Sequence, residues 1–117
     1  MNVKETYLYF AENEGADATG EAHVYPASNF LGCDPISATT TRISFKALAG
    51  TLADDDILLT HVTGKFKEVC EALADALNDD NGELVVFADE DNTIYTKKLR
   101  DLGCIDGDTE VVTTLDT

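Results

Sequence analysis

The sequence predicts an α+β protein, in which a mostly antiparallel β-sheet carries one amphipathic helix, at about 64–78, on one face. An apolar run of strand length, Ile57 to Val62, is followed at once by apolar residues at helical spacing. Strand-like segments stand before and after this pair, without the regular βαβ alternation of a doubly wound parallel sheet. The strands are therefore expected to form a single sheet that the helix covers.

The helix is predicted from the spacing of its apolar residues. They recur at intervals of three and four and form one stripe: Phe66, Val69, Cys70, Leu73 and Leu77. Charged residues occupy the other side, and three alanines between 72 and 76 raise the helix propensity. Thr63 stands just before the stripe and is the predicted N-cap.

The N-terminal third is predicted to hold two strands and a loop. Residues 6–10 are β-branched or aromatic apart from Leu8, with Leu8 and Phe10 on one face of a strand and two tyrosines on the other. The glycine-rich and acidic residues 11–20 are predicted to form a flexible loop. Residues 21–35 are predicted to be a long irregular excursion that contains one short edge strand, His23 to Tyr25.

The other elements follow from alternation, apolar runs and turn residues. Residues 39–46 alternate as a half-buried strand does, and the acidic segment 50–56 is predicted to be a polar link. Further strands are expected at 84–87, 93–95 and 109–115, the first two forming a hairpin with an acidic tip, and residues 97–107 are expected to form a loop or one helical turn.

The length of the chain predicts the number of domains, and its net charge excludes some kinds of partner. With 117 residues, the chain is predicted to be a single domain over 1–117, large enough to bury a core without metals or disulfides. The formal net charge is -15, from 23 acidic and 8 basic residues. This charge repels phosphate backbones and anionic lipids, so nucleic acid and membranes are predicted not to be partners.

The three cysteines do not look like a disulfide framework. Cys33, Cys70 and Cys104 are odd in number and far apart in sequence, and Cys70 lies on the apolar helix stripe. Reduced thiols are therefore predicted. The first residues lack the apolar segment of a signal peptide, so synthesis in a cytoplasm is expected.

Candidate catalytic residues are few. His61 ends a predicted central strand just before a helix, a place where sites often form, but Ile57 and Leu59 share its face. A hydrogen-bonded core histidine is the favoured interpretation, and packing is favoured for Cys70. His23 is the other histidine. No catalytic residue and no enzyme activity is predicted.

No metal or cofactor is predicted either. The chain has none of the usual Cys and His spacings of zinc sites, and its glycines do not form a phosphate-binding loop. Acidic clusters at 54–56, 79–81 and 89–92 offer oxygen ligands, but their spacing is not that of an EF-hand. Solvated turns are the favoured interpretation, with weak cation binding as the alternative.

Large apolar residues in a segment rich in turn formers suggest a contact surface. Tyr25, Phe30 and Leu31 are the predicted interface residues. The alternative, that Phe30 and Leu31 cover the protein's own core, is equally compatible with the sequence. Basic residues at 65, 67, 97, 98 and 100 could meet an acidic partner, although relief of the surrounding negative charge is favoured.

Four segments resemble a group of small virion proteins encoded by tailed bacteriophages, especially marine ones. They are Glu5 to Phe10, Tyr25 to Ser28, Ile43 to Lys46 and Leu58 to Val69. The resemblance implies a non-enzymatic structural protein, most simply a capsid decoration or cement protein that binds the major capsid protein on the outside of a phage head. It transfers no site residues and leaves open whether the protein forms a homo-oligomer.

Two alternative functions remain open from the sequence. One is another minor virion component, in the tail or connector. The other is an acidic inhibitor that mimics DNA, although such a mimic needs carboxylates spaced along one face, whereas here they cluster in predicted turns.

Overall fold

The structure, a computed structural model, describes residues 5–12, 22–47, 54–78 and 84–114. Within these ranges the chain forms eight strands and two α-helices, which confirms the predicted α+β class. In chain order they are β1 (Tyr7–Ala11), β2 (Ala22–Pro26), β3 (Phe30–Ser37), β4 (Thr40–Lys46), β5 (Asp54–Thr60), α1 (Phe66–Leu77), β6 (Leu84–Asp89), β7 (Ile94–Tyr95), α2 (Lys97–Asp101) and β8 (Glu110–Thr114).

The strands form two sheets rather than the single sheet expected. The first sheet has the order β2-β1-β6-β7, and the second has the order β3-β4-β5-β8. All neighbouring strands are antiparallel except β1 and β6, which are parallel. A parallel pair needs a long crossover, and here the chain builds three strands of the second sheet and α1 before it returns to β6.

The edge strand predicted at His23 to Tyr25 is confirmed as β2, which lies at the edge of the first sheet. The rest of the predicted irregular excursion over residues 21–35 was wrong from Phe30 onward, where the eight-residue strand β3 begins. The strand pairs with β4 at the edge of the second sheet, and its register shifts on both sides of the segment from Gly32 to Pro35. Glycine and proline are tolerated in an edge strand with bulges, because some of its backbone groups need no partner. The same residues signal turns in an isolated sequence.

The acidic residues before Ile57 were also wrongly predicted. Asp54, Asp55 and Asp56 are the first residues of β5 and not part of a polar link, while residues 50–53 lie outside the described ranges. The buried residues of β5 alternate from Asp55 onward. The strand can begin with carboxylates because Asp55 and Asp56 accept hydrogen bonds from Tyr25 and Ser44, respectively.

The core lies between the inner faces of the two sheets. Phe10 and Tyr25 of the first sheet meet Phe45 of the second, with ring centroids 5.7 Å and 4.5 Å from that of Phe45. Phe87 of β6 packs on Phe10 at 5.6 Å. These aromatic contacts join the two sheets into one core, to which α1 contributes Val69 and other buried residues.

Helix α1 confirms the predicted amphipathic helix with a later start. It lies against β3 and β4 of the second sheet, β6 of the first, and α2. The predicted cap was wrong, because Lys65 is the N-cap residue, without a side-chain hydrogen bond to the helix. Gly64 has a φ of 77°, which disfavours any other residue, and this turn separates Thr63 from the first helical residue, Phe66.

The C-terminal elements follow the predictions closely. β6 and β7 pair as a hairpin, and its acidic tip is fastened by Asp89, which accepts hydrogen bonds from the backbone and the side-chain amide of Asn92, both at 3.0 Å. α2 is the predicted helical turn, capped by Thr96, whose hydroxyl accepts from the backbone N–H of Leu99. Ala11, the first residue of the predicted flexible loop at 11–20, belongs to β1 instead, and residues 13–20 lie outside the described ranges.

Candidate binding surface

His61 is a core histidine with both ring nitrogens engaged, as the sequence favoured. It is 3% exposed. Nδ1 lies 2.9 Å from the carbonyl oxygen of Val62, which can only accept, so Nδ1 donates. In the neutral ring, Nε2 then accepts from the hydroxyl of Thr41 at 2.8 Å. The ring fixes the end of β5 to β4, and neither nitrogen is free to exchange a proton with a substrate.

The three cysteines are free thiols, but two of them lie together. The Sγ atoms of Cys33 on β3 and Cys70 on α1 are 2.9 Å apart. Both residues are half-buried, whereas Cys104 is fully buried. Burial raises the pKa of the Cys104 thiol, and the carboxylate of Glu68 raises it further. Although Cys33 and Cys70 are 37 positions apart in the sequence, their sulfur atoms are in contact.

The acidic clusters are tied into the fold. Asp55 is buried and accepts from the Tyr25 hydroxyl at 2.9 Å, and Asp56 accepts from the Ser44 hydroxyl at 2.8 Å. In the hairpin, the carboxylate of Asp89 accepts a hydrogen bond from the backbone N–H of Asn92. Among the residues with described positions, no group of three His, Cys, Asp or Glu side chains could hold a metal ion. The cluster at 79–81 lies outside the described ranges.

Several basic residues in or next to the helices pair with acidic residues three or four positions along the chain. Lys65 and Lys67 lie 3.8 Å from carboxylate oxygens of Glu68 and Glu71, respectively. Lys97 pairs with Asp101 on α2. These exposed pairs contribute little to stability, about 0.2–1 kcal/mol each. They fit the interpretation that the lysines relieve the negative charge around them.

The three predicted interface residues are not on one exposed surface. Tyr25 is fully buried in the core, which corrects its predicted place in an interface. Phe30 is half-buried and packs against Phe45, with ring centroids 5.8 Å apart. Leu31 is 48% exposed and is the one member of the set that is free to contact a partner. Tyr25 turns inward because it lies opposite Leu8, whose face forms the core.

The outer face of the first sheet carries a continuous set of apolar and aromatic side chains. Pairing aligns Pro26, Tyr7 and Leu84 in one row across β2, β1 and β6, and Val24, Tyr9 and Val86 in the next. Tyr7, Val24 and Leu84 are 42%, 38% and 54% exposed, and the other three are half-buried. We call these six residues the apolar outer face.

The apolar outer face contrasts with the rest of the chain. None of its six residues is acidic or basic, although the protein carries a net charge of -15. Glu5 lies two residues before Tyr7, and its carboxylate accepts from the backbone N–H and the hydroxyl of Ser28 at 3.0 and 2.7 Å. These bonds lower the pKa of Glu5. The face is thus an uncharged area beside a charged and hydrogen-bonded edge.

Only two of the six residues of the apolar outer face could be placed on it from the sequence. The alternation in β1 correctly placed Tyr7 and Tyr9 on the side opposite Leu8 and Phe10. The remaining four residues join them only through the pairing of β1 with β2 and β6. The parallel partner β6 lies more than 70 residues along the chain, and no local pattern reveals that pairing.

The fold and this surface define an acidic α+β protein of two sheets with an uncharged apolar face on one of them. No protein-family model matches the chain, and no curated protein or solved structure shows significant similarity to it. Neither helix in the described ranges is long and apolar enough to cross a membrane.

Proposed function

We propose that the protein is a non-enzymatic structural component of a phage virion, a decoration or cement protein that docks on the major capsid protein at the outer surface of the head. The observation that carries this proposal is the apolar outer face, an uncharged surface of six apolar and aromatic residues on a chain with a net charge of -15. The resemblance of four sequence segments to small virion proteins of tailed phages supports the same class.

The apolar outer face has the composition of an interface centre. Tyrosines and aliphatic residues are enriched and charged residues are depleted where protein surfaces bury each other. Tyr7 and Tyr9 supply large contact areas at a low cost in side-chain entropy. Burial of this face is favourable because it removes exposed apolar area from water.

A viral shell suits a protein of this size and charge. The shell is symmetric and offers many identical sites, so a small interface on each copy can add to the stability of the whole particle. Strong negative charge disfavours contact with packaged DNA and with other free copies of this chain. These considerations favour a capsid surface over a second copy as the occupant of the apolar outer face.

A charge placed on this face tests the proposal. Leu84→Glu is expected to weaken co-sedimentation with phage heads by roughly 30-fold or more, the loss typical of an interface hot spot. The matched control is Val112→Glu, which alters an apolar residue of β8 in the second sheet that is 40% exposed, against 54% for Leu84, and is expected to bind normally. Leu31→Ser in the same assay measures whether the edge of the second sheet also contributes.

Composition of the particles provides the second measurement. Quantitative mass spectrometry of particles purified from the virus that encodes the chain is expected to find many copies per particle. A few copies would point to the tail or connector instead. Absence from particles together with abundance in infected cells would overturn the proposal and favour the acidic inhibitor that mimics DNA. Equal binding by the Leu84 and Val112 variants would overturn the assignment of the surface.

A further inference from the structure

The two neighbouring thiols join elements that are distant in sequence. Cys33 lies opposite the buried Ile43 of β4, so its side chain points toward the inner side of β3, where α1 packs. Cys70 meets it from α1, with the two Sγ atoms 2.9 Å apart. A disulfide needs an S–S distance of about 2.05 Å, so closure requires about 1 Å of approach. Both residues are half-buried and thus partly accessible to a small reagent in solution.

We propose that Cys33 and Cys70 form a reversible disulfide that ties strand β3 to helix α1, with a small-molecule disulfide such as oxidised glutathione as the oxidant. This inference concerns another part of the protein and does not depend on the docking proposal. The thiols would stay reduced in the cytoplasm where the chain is made and would be oxidised outside it.

The reaction balances as two thiol–disulfide exchanges. One cysteine thiolate attacks oxidised glutathione, forms a mixed disulfide and releases one glutathione as its thiol. The second cysteine then attacks the protein sulfur of the mixed disulfide and releases the second glutathione. Two protein thiols are oxidised to one disulfide, one molecule of oxidised glutathione is reduced to two thiols, and no other reactant is needed.

Cys33 must act as a thiolate in either order of attack. If Cys33 reacts first, it attacks glutathione, and if Cys70 reacts first, Cys33 attacks the mixed disulfide. The pKa of Cys33 is raised to about 12, chiefly by burial, then by its hydrogen bond to Cys70 and by the charge of Asp34. Asp34 is itself paired with Arg42 on β4. Closure is therefore expected to be slow at neutral pH and to accelerate up to about tenfold per pH unit between pH 7 and 9.

The disulfide is expected to stabilise the fold. It would close a loop of 37 residue steps, from an edge strand to the helix that covers the core. Constraining a loop of this size in the unfolded chain, without disturbing native contacts, should raise the Tm by on the order of 10 °C. Reduction should reverse the rise.

The test measures the number of free thiols in the full-length chain. Reduced protein is incubated with oxidised glutathione under native conditions, quenched in acid and alkylated, and its intact mass is then measured by mass spectrometry. The wild type is expected to fall from three alkylated thiols to one, and peptide mapping should find Cys33 joined to Cys70. Cys104→Ser is the matched control, because it removes the buried third thiol and should leave closure unchanged. Cys33→Ser and Cys70→Ser should each stop at a glutathione adduct or remain unmodified.

Three results would overturn the proposal. The wild type could retain all three thiols in the folded state and lose them only in urea. It could accumulate glutathione adducts without closing to an internal bond. Peptide mapping could instead place Cys104 in the bond. Because these results come from the wild type, they are informative even if a serine variant fails to fold.

Discussion

Replacing Phe45 by Ala is expected to lower the free energy of unfolding by about 3–5 kcal/mol, the usual cost of emptying a large aromatic site in a core. Phe45 is completely buried. Its ring stacks on Tyr25 at 4.5 Å and meets the edges of Phe10 and Phe30 at 5.7 and 5.8 Å. Since Phe10 and Tyr25 belong to the first sheet and Phe45 to the second, the substitution opens a cavity where the sheets are joined. Urea denaturation at pH 7 measures the change.

The matched control is Phe66→Ala. Phe66 belongs to the predicted apolar stripe of α1, yet it is the first residue of the helix and is exposed. Its loss is expected to cost less than about 1 kcal/mol, as for most surface changes. Equal costs for Phe45 and Phe66 would contradict the two-sheet core and would favour the single covered sheet that the sequence suggested.

The elements that depend on a local sequence pattern were predicted correctly. The alternation of Leu8 and Phe10 with the tyrosines predicted both the strand β1 and its inner face. The spacing of apolar residues at i, i+3 and i+4 predicted α1. Prediction failed where tertiary contacts override local preference. β3 contains a glycine and a proline that an edge strand accommodates, and β5 begins with aspartates whose hydrogen-bond partners come from other strands.

The candidate sites depended on long-range pairing and were mostly hidden from the sequence. Tyr25 was predicted to lie in an interface because it is a large residue in a segment rich in turn formers, but register with Leu8 turns it into the core. Leu84 joins Tyr7 only because β6 pairs in parallel with β1. Cys33 and Cys70 are 37 positions apart and meet through the packing of α1 on β3. Each case depends on strand pairing or packing between distant segments, which the local pattern of a single sequence does not provide.

Tyr25→Phe is expected to cost about 1–3 kcal/mol at pH 7 while leaving the aromatic packing in place. The Tyr25 hydroxyl donates to Oδ2 of Asp55 at 2.9 Å, and both residues are buried. Removing the donor deprives a buried carboxylate of a hydrogen bond that water cannot replace. Tyr7→Phe is the matched control, because Tyr7 is exposed on the apolar outer face and should change the free energy of unfolding by less than about 0.5 kcal/mol.

The same pair predicts a dependence on alkaline pH. Burial raises the pKa of Tyr25 above its ordinary value of 10.0, and the hydrogen bond and negative charge of Asp55 raise it further. The folded protein therefore holds the phenol proton more tightly than the unfolded chain does. This contribution is complete below pH 10 and is lost as the pH rises above it, by about 1.4 kcal/mol per pH unit.

Tyr25→Phe has no phenol proton at this position, so it escapes that loss. The difference in the free energy of unfolding between wild type and variant should stay constant up to about pH 10 and then shrink by about 1.4 kcal/mol per pH unit. Tyr95, whose pKa burial also raises, is present in both proteins and cancels in the difference. A difference that stays flat from pH 8 to 11 would mean that Tyr25 titrates alike in the folded and unfolded chain, and the buried pair with Asp55 would have to be abandoned.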